Sequence, residues 1–223
     1  MLMAQSLTEI NAMLLKQLDS FFFLSDEEEH AIKLNIPCAM RKCERSFLKT
    51  RNKYYNEAGI TKFDPLHGCQ WSRFLYELAR CVFVGGGVTS VCDKLYALNK
   101  AMASVDLFYQ VALPDIFMFD HPFGAVMGRA SYSDYFTFSQ GCTVGNNRGI
   151  YPRFGHSVFM LSDSKVIGNC EIGSNVIIGA NAYVKDASIP DNSLVFGQSP
   201  NLVIKENRAD AVRAYAEQVF RYE

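Results

Sequence analysis

The side chains with the most versatile chemistry here are four histidines and seven cysteines, and their surroundings differ. His121 directly follows Asp120 within FMFDHPFGAVMG, Phe117 to Gly128, where an aromatic-rich run meets the first glycines of a different kind of sequence. An imidazole exchanges a proton near neutral pH, so a histidine beside an acid at such a junction is a candidate general base. The other three read as structural: His30 in the acidic helix start DEEEH, His67 in the turn-like DPLHGC, and His156 just after a turn-rich stretch. Cys38, Cys43, Cys69, Cys81, Cys92, Cys142 and Cys170 form no CxxC pair, which argues against a disulfide framework or a structural zinc site and fits a reducing cytoplasm. No metal is expected, and Cys142 and Cys170 stand where small buried side chains are wanted.

The bulk numbers narrow the field. With 223 residues, 49% hydrophobic and 20% charged, the chain has ordinary globular composition, long enough for one large domain or two small ones. A formal net charge of -1 supplies no field that would draw the protein to nucleic acid or an anionic membrane. The N-terminus carries polar and acidic residues instead of a basic, then apolar, leader, and no stretch approaches the roughly 20 apolar residues of a membrane span. A cytoplasmic protein is expected. Gly85-Gly86-Gly87 lacks the spacing of a phosphate-binding loop and reads as a connector between helices. The cationic run Arg41, Lys42, Arg45, Lys49, Arg51 and Lys53 is interrupted by Glu44 and reads as a solvated surface.

These residues must be positioned by two kinds of structure. Leu7, Ile10, Leu14, Leu18, Phe21 and Phe22 recur at helical spacing, and Ser25 with Glu28 makes a capping box before a second helix. The run from Arg41 to Glu57 predicts another helix stopped by Gly59, and further helices are expected at about 70–83 and 90–107, the last capped by Ser90 and Asp93. After residue 125 the period becomes six: Met160, Val166, Ile172, Ile178 and Val184 follow without a gap, with Ser164, Cys170, Val176 and Ala182 four places on from the first four. Val126, Tyr132, Phe138 and Val144 keep the spacing out of phase, so Gly145 to Pro152 predicts a loop thrown out of a regular coil. Each six-residue unit is a short strand and a turn, three units close a triangular coil, and stacking buries an inward column no single repeat could bury, which is a parallel β-helix.

The segments FDHPFGAVMGRASYSDYFTFSQGCTVGNN (119–147) and YPRFGHSVFMLSDSKVIGNCEIGSNVIIGANAYV (151–184) resemble the catalytic half of serine acetyltransferases, hexapeptide-repeat acyltransferases. That family shows an Asp-His, a Val-Thr-Leu-Gly-Gly turn, an extruded loop ending in Arg-His-Pro, and hexads containing Leu-Gly-Asn. This chain shows Asp120-His121, Cys142-Thr143-Val144-Gly145-Asn146, Ile150-Tyr151-Pro152 and Ile167-Gly168-Asn169. The resemblance implies a left-handed β-helix, acetyl-CoA as donor, a homotrimer that pairs with a second trimer through its N-terminal helices or stands alone, and direct transfer of acetyl to an acceptor hydroxyl.

By the same resemblance His121 matches the base and Asp120 an acceptor-binding acid. The family's orienting Asp, in Val-Asp-Ile-His-Pro, has no counterpart in Val111-Ala112-Leu113-Pro114, which leaves Asp115 or a backbone carbonyl. Asp120 is a poor orienter if both residues lie on a strand, where neighbours point to opposite faces. The family's Arg-His that holds the amino-acid acceptor is replaced by Ile150-Tyr151, so Arg148 or Arg153 from a shifted register, or a saccharide acceptor instead of serine, are the alternatives. Asp64 is either a second acceptor-binding acid or a helix cap. Gly145 matches an oxyanion-binding turn, Gly179, Ala180 and Ala182 the pantetheine path, Gly197 the exit from the last coil, and Lys185 and Lys205 are phosphate candidates or solvated. The expected class is thus α+β: a helical domain over 1–108, a left-handed β-helix over 109–205 and a C-terminal helix over 206–223. The readings are an O-acetyltransferase acting on a small acceptor, one acting on a surface-polysaccharide precursor, and a non-catalytic trimeric scaffold.

Overall fold

The computed structural model describes residues 1–222, in two compact units: Met1–Leu48 with Asn52–Gln110, and Lys49–Arg51 with Val111 onward.

The first unit is mostly helical. After β1 (Leu2–Met3), Ser6 and Glu9 cap each other's backbone N–H and start α1 (Leu7–Asp19), whose Ile10, Leu14 and Leu18 are fully buried. Ser25 and Glu28 repeat the device at α2 (Asp26–Leu48). The expected helix over 41–57 is corrected: α2 runs through Pro37 and stops at Leu48, because the Asn56 side-chain amide donates to the otherwise orphaned carbonyls of Phe47 and Leu48. Asn56 then opens β2 (Asn56–Glu57), paired with β3 (Ile60–Phe63) across Ala58 and Gly59, both at positive φ. Gly59 therefore serves a two-residue hairpin and not a helix end.

The triple glycine joins α3 (Gly68–Val84) to α4 (Thr89–Ala103). Ser90 and Asp93 do not cap α4, whose N-cap is Val88. The Ser90 hydroxyl instead donates to Glu28 at 2.6 Å, and Asp93 accepts from the Tyr109 hydroxyl. Glu28 is buried, and Lys94 reaches both its carboxylate oxygens at 2.7 Å.

The second unit is a parallel β-helix. Its strands follow as β4 (Phe117–Phe119) and β5 (Val126–Met127), then β6 (Phe136–Phe138), β7 (Thr143–Gly145) and β8 (Arg153–Phe154). Below them lie β9 (Val158–Met160), β10 (Lys165–Ile167) and β11 (Glu171–Ile172), then β12 (Val176–Ile178), β13 (Tyr183–Lys185) and β14 (Ser188–Ile189). The last coil strand, β15 (Ser193–Gln198), turns back into antiparallel β16 (Asn201–Lys205). One face stacks β4, β6, β9, β12 and β15, a second stacks β5, β7, β10 and β13, and a third stacks β8, β11 and β14. Met160, Val166, Ile172, Ile178 and Val184 all point inward and are buried, as the six-residue period requires. In the earlier run Phe138 and Val144 point inward too, but Val126 does not: it pairs with Thr143, and Met127, which pairs with Val144, takes the inward place.

On the first face the outward positions are also apolar. Phe159 and Ile177 lie in register, and α5 (Ala209–Val219) covers them with Val212 and Ala216, followed by Phe220. A strand buried on both sides reads as the unbroken apolar runs VFM and VII. The C-terminal helix thus belongs with the β-helix unit.

Glu28 gives a pH prediction. Burial pushes its carboxyl upward, but the bonds from Lys94, Ser90 and Ser25 outweigh this and hold it down at about 2 against an ordinary 4.5. A depressed acid stabilises the fold above its unfolded value, and that contribution is lost as the pH falls from about 4.5 toward about 2. Glu28→Gln should therefore be less stable than the unaltered protein at pH 7 and show a shallower loss between pH 5 and 2 in urea denaturation. Parallel acid limbs would contradict this.

Candidate active site

The corner between the first and second faces is a stack of turns. Residues 139–142, 161–164 and 179–182 each bridge their strands with four residues, and each turn bonds to the one above through Gly141, Asp163 and Asn181 N–H groups. Gly141, Asp163 and Asn181 all sit at positive φ, the corner geometry of the coil. The uppermost turn, Asp120 to Ala125, is two residues longer. Gly124, at φ 72°, takes the regular corner place, and Phe123 accepts the bond from Gly141. The two extra residues put Asp120 and His121 in a projection beyond β4.

His121 itself is at φ 46°, a left-handed conformation rarely taken by a residue with a Cβ and costing of order 1–3 kcal/mol. Its side chain is 74% exposed, with Nε2 3.5 Å from Asp120 Oδ1. The objection to Asp120 as a neighbour of the ring assumed that the pair lies on a strand. Both residues lie past its end, where alternation no longer applies. Asp115 is half-buried at the other end of β4, and the five residues 116–120, which include the whole of that strand, separate it from His121.

Gly179, Ala180 and Ala182 lie in the same stack of turns, three coils below, about 14 Å from the His121 turn. Ala180 is exposed, while Ala182 and Gly179 are buried. The smallness of Gly179 has a reason inside the chain: a Cβ there would come 2.7 Å from the Phe196 ring.

The acceptor-side candidates lie at the next corner, between the second and third faces. The coil from Val144 to Val166 is 22 residues long where that from Val166 to Val184 is 18, and the excess is a small hairpin. Asn147 and Ile150 exchange both backbone bonds around Arg148-Gly149, both at positive φ. Arg148 is at its exposed tip, and Ile150 and Tyr151 are exposed on its return strand. Arg153 faces outward on the third face and pairs with Glu171 at 3.3 Å. Gly145 and Lys185 share one column of the second face, in register through Ile167.

Gly197, at φ 80°, and Lys205, whose Nζ lies over the Phe196 ring at 5.4 Å, belong to the terminal hairpin of β15 and β16. Asp64 belongs to the helical unit, where it does not cap α3; its carboxylate accepts from Leu66 N–H and lines a cavity of about 350 Å³ with Lys53, Lys62 and His67. Cys142 and Cys170 are buried with their thiols on backbone carbonyls, and burial pushes the Cys170 thiol upward.

A serine acetyltransferase of Staphylococcus epidermidis is 31% identical over 158 residues, 67% of this chain and 70% of the relative. The chain belongs to the serine acetyltransferase family. A member from Staphylococcus aureus is 32% identical over 127 residues, 52% of this chain and 59% of the relative, so the match spans about three fifths of that protein's length. A solved serine acetyltransferase in complex with CoA superposes with a TM-score of 0.61 at 20% identity, over 79% of this chain and 73% of that one, which establishes the shared fold. No protein-family model matches the chain.

One group in this family member carries no signal in the spacing of its sequence. The Asp186 carboxylate accepts from Asn169 N–H at 2.8 Å and from the Asn147 side-chain amide at 2.6 Å, and these bonds hold its carboxyl below the usual range. Gly168, at φ 82°, lies against it: a Cβ would come 2.1 Å from Asp186 Oδ1 and 2.6 Å from Asn147 Cβ. Gly168→Ala should cost about 1–3 kcal/mol in urea denaturation and speed proteolysis within 146–151. Unchanged stability and cleavage would show that the hairpin does not depend on this packing.

Proposed function

We propose that this chain is an acetyl-CoA-dependent O-acetyltransferase in which His121 is the general base. The observation that carries the reading is the placement of His121. In a chain of this family, a two-residue insertion lifts the imidazole into solvent at the head of the corner that also holds Gly179 to Ala182. A solved family member in complex with CoA supports the donor.

His121 removes the proton from an acceptor hydroxyl as that oxygen attacks the thioester carbonyl. The tetrahedral oxyanion then collapses, expelling the CoA sulfur, which takes the proton back from the imidazolium. Such assistance is worth roughly 10²–10⁴-fold. A backbone N–H near Gly145 is the candidate donor to the oxyanion. Asp120, loosely paired with the ring, leaves the imidazole free to turn toward substrate and serves as its orienter or as a partner of the acceptor; Asp115 stands as the alternative orienter. The pantetheine follows Gly179, Ala180 and Ala182 toward Gly197, and Lys185 or Lys205 meets a phosphate.

In one chain, His121 and the hairpin that carries Arg148 and Tyr151 stand at different corners, separated by a face about 10 Å wide. That separation supports a homotrimer, with the site assembled from one subunit's first corner and its neighbour's second corner. We place the reaction in the cytoplasm.

The acceptor has two readings. Serine follows from the family. A saccharide hydroxyl is favoured by the second corner, where Ile150 and Tyr151 are exposed and Arg153 is occupied by Glu171. An exposed aromatic ring suits a sugar, while Arg148 at the hairpin tip is the cation that a serine carboxylate would use.

His121→Ala should lower kcat/KM by about 10²–10⁴-fold while coenzyme A binding, read by calorimetry, is retained. Turnover within threefold of the unaltered protein would remove His121 as base. Absence of coenzyme A binding by the unaltered protein would leave the scaffold reading. Consumption of acetyl-CoA with L-serine but not with UDP-N-acetylglucosamine or oligosaccharides would decide for serine, and the reverse for a saccharide.

A further inference from the structure

We infer that Asp186 is a positioning residue that clamps the 146–151 hairpin from two coils below, so that the Asn147–Asp186 link sets the affinity for the acceptor. This rests on the reading above in one respect, that Tyr151 and its neighbours meet the acceptor.

The hairpin has little to hold it otherwise. Two backbone bonds close it between Asn147 and Ile150, and Gly149 N–H reaches Asn146 Oδ1 at 3.2 Å. Its tip and return strand, Arg148 to Tyr151, are exposed and make no apolar core. Among the described residues the side-chain hydrogen bond out of the hairpin is that from Asn147 Nδ2 to Asp186 Oδ2, and the Arg148 charge is also drawn to that carboxylate. Asp186 is in turn fixed at its corner, where its own N–H donates to Ile167 O and its Oδ1 accepts from Asn169 N–H. One carboxylate therefore joins the extruded segment to two later coils. The close approach is built into the backbone, since Gly168 leaves room for Asn147 Cβ and Asp186 together. Four residues of excess chain are too few for the hairpin to find a second resting place with its own core, so its position follows the clamp.

The chemistry assigned is positional. Asp186 touches no reacting atom; it fixes where Ile150 and Tyr151 stand, and hence the KM of the substrate that lies against them. The donor path at the first corner does not depend on the hairpin.

The test uses the full chain with Asn147→Ala and Asp186→Ala, singly and combined, against L-serine or UDP-N-acetylglucosamine, whichever the unaltered protein acetylates. A hydrogen bond to a charged group of this kind predicts a rise of about tenfold in acceptor KM for each single variant, with acetyl-CoA KM within about twofold. Both changes cut the Asn147–Asp186 link and Asp186→Ala also frees Asn169 N–H, so the double variant should be no worse than Asp186→Ala alone by more than about twofold. Exchanging the partners, Asn147→Asp with Asp186→Asn, should restore most of the loss by reversing the bond. Acceptor KM unchanged in both singles, or both substrates' KM values rising together, would overturn the proposal. Hydrogen exchange at Asn147 and Ile150 reads the clamp without activity. Protection should fall about tenfold or more in either alanine variant while β10 and β13 stay protected, and equal protection would overturn the clamp. Absence of turnover by the unaltered protein would count against the proposed function alone, since the exchange experiment is independent of it.

Discussion

A strand of two or three residues cannot bury its inward side chain by itself, and this constraint governs the whole C-terminal unit. Val144 is buried because Val166 lies under it in register, and Val166 because Val184 lies under that. The backbone bonds that lock the coils at about 4.8 Å intervals therefore do double duty: they stack the apolar column and fix every turn at its corner. A site on such a frame is rigid along the stack. It varies only where a turn gains residues, and the chain gains them at two places, the turn with His121 and the hairpin with Tyr151.

The parts of the fold that were legible in the sequence are those set by local repetition. Met160 to Val184 show the period because each unit meets the same environment, and the capping box at Ser25 is legible because its two bonds span three residues. The end of α2 was not, since it depends on Asn56 folding back over Phe47 and Leu48 from beyond the helix. Val126 misled for a related reason. The period, carried upward from Val144 in whole repeats, overshoots by one residue, because the coil from Met127 to Val144 is 17 residues long where that from Val166 to Val184 is 18. The runs VFM and VII belong to strands buried on both sides, a feature the six-residue column does not show, and the sequence offered no sign that α5 is what covers them.

The candidate site divides in the same way. His121 was legible from its type, its neighbour and its place ahead of the loop. Its projecting turn was not, because a two-residue insertion shows only against the four-residue turns below it. The condition that set Asp120 against the ring, both residues on a strand, does not hold, because the pair lies past the end of β4. The neighbour of Arg153 was not legible either, since its register with Glu171 on the third face joins residues 18 apart. Asp186 was invisible because its partners are reached across coils, 39 residues away for Asn147 and 17 for Asn169.

The fold sets two corners side by side, the proposed donor edge headed by an exposed imidazole and the proposed acceptor edge carrying the hairpin. The most direct test is a crystal structure of the protein with coenzyme A. The account predicts the pantetheine along the corner from Gly179 to Ala182, with its sulfur within about 4 Å of the His121 imidazole, near the separation that reacting groups need. Coenzyme A held elsewhere, or with its sulfur remote from His121, would contradict it.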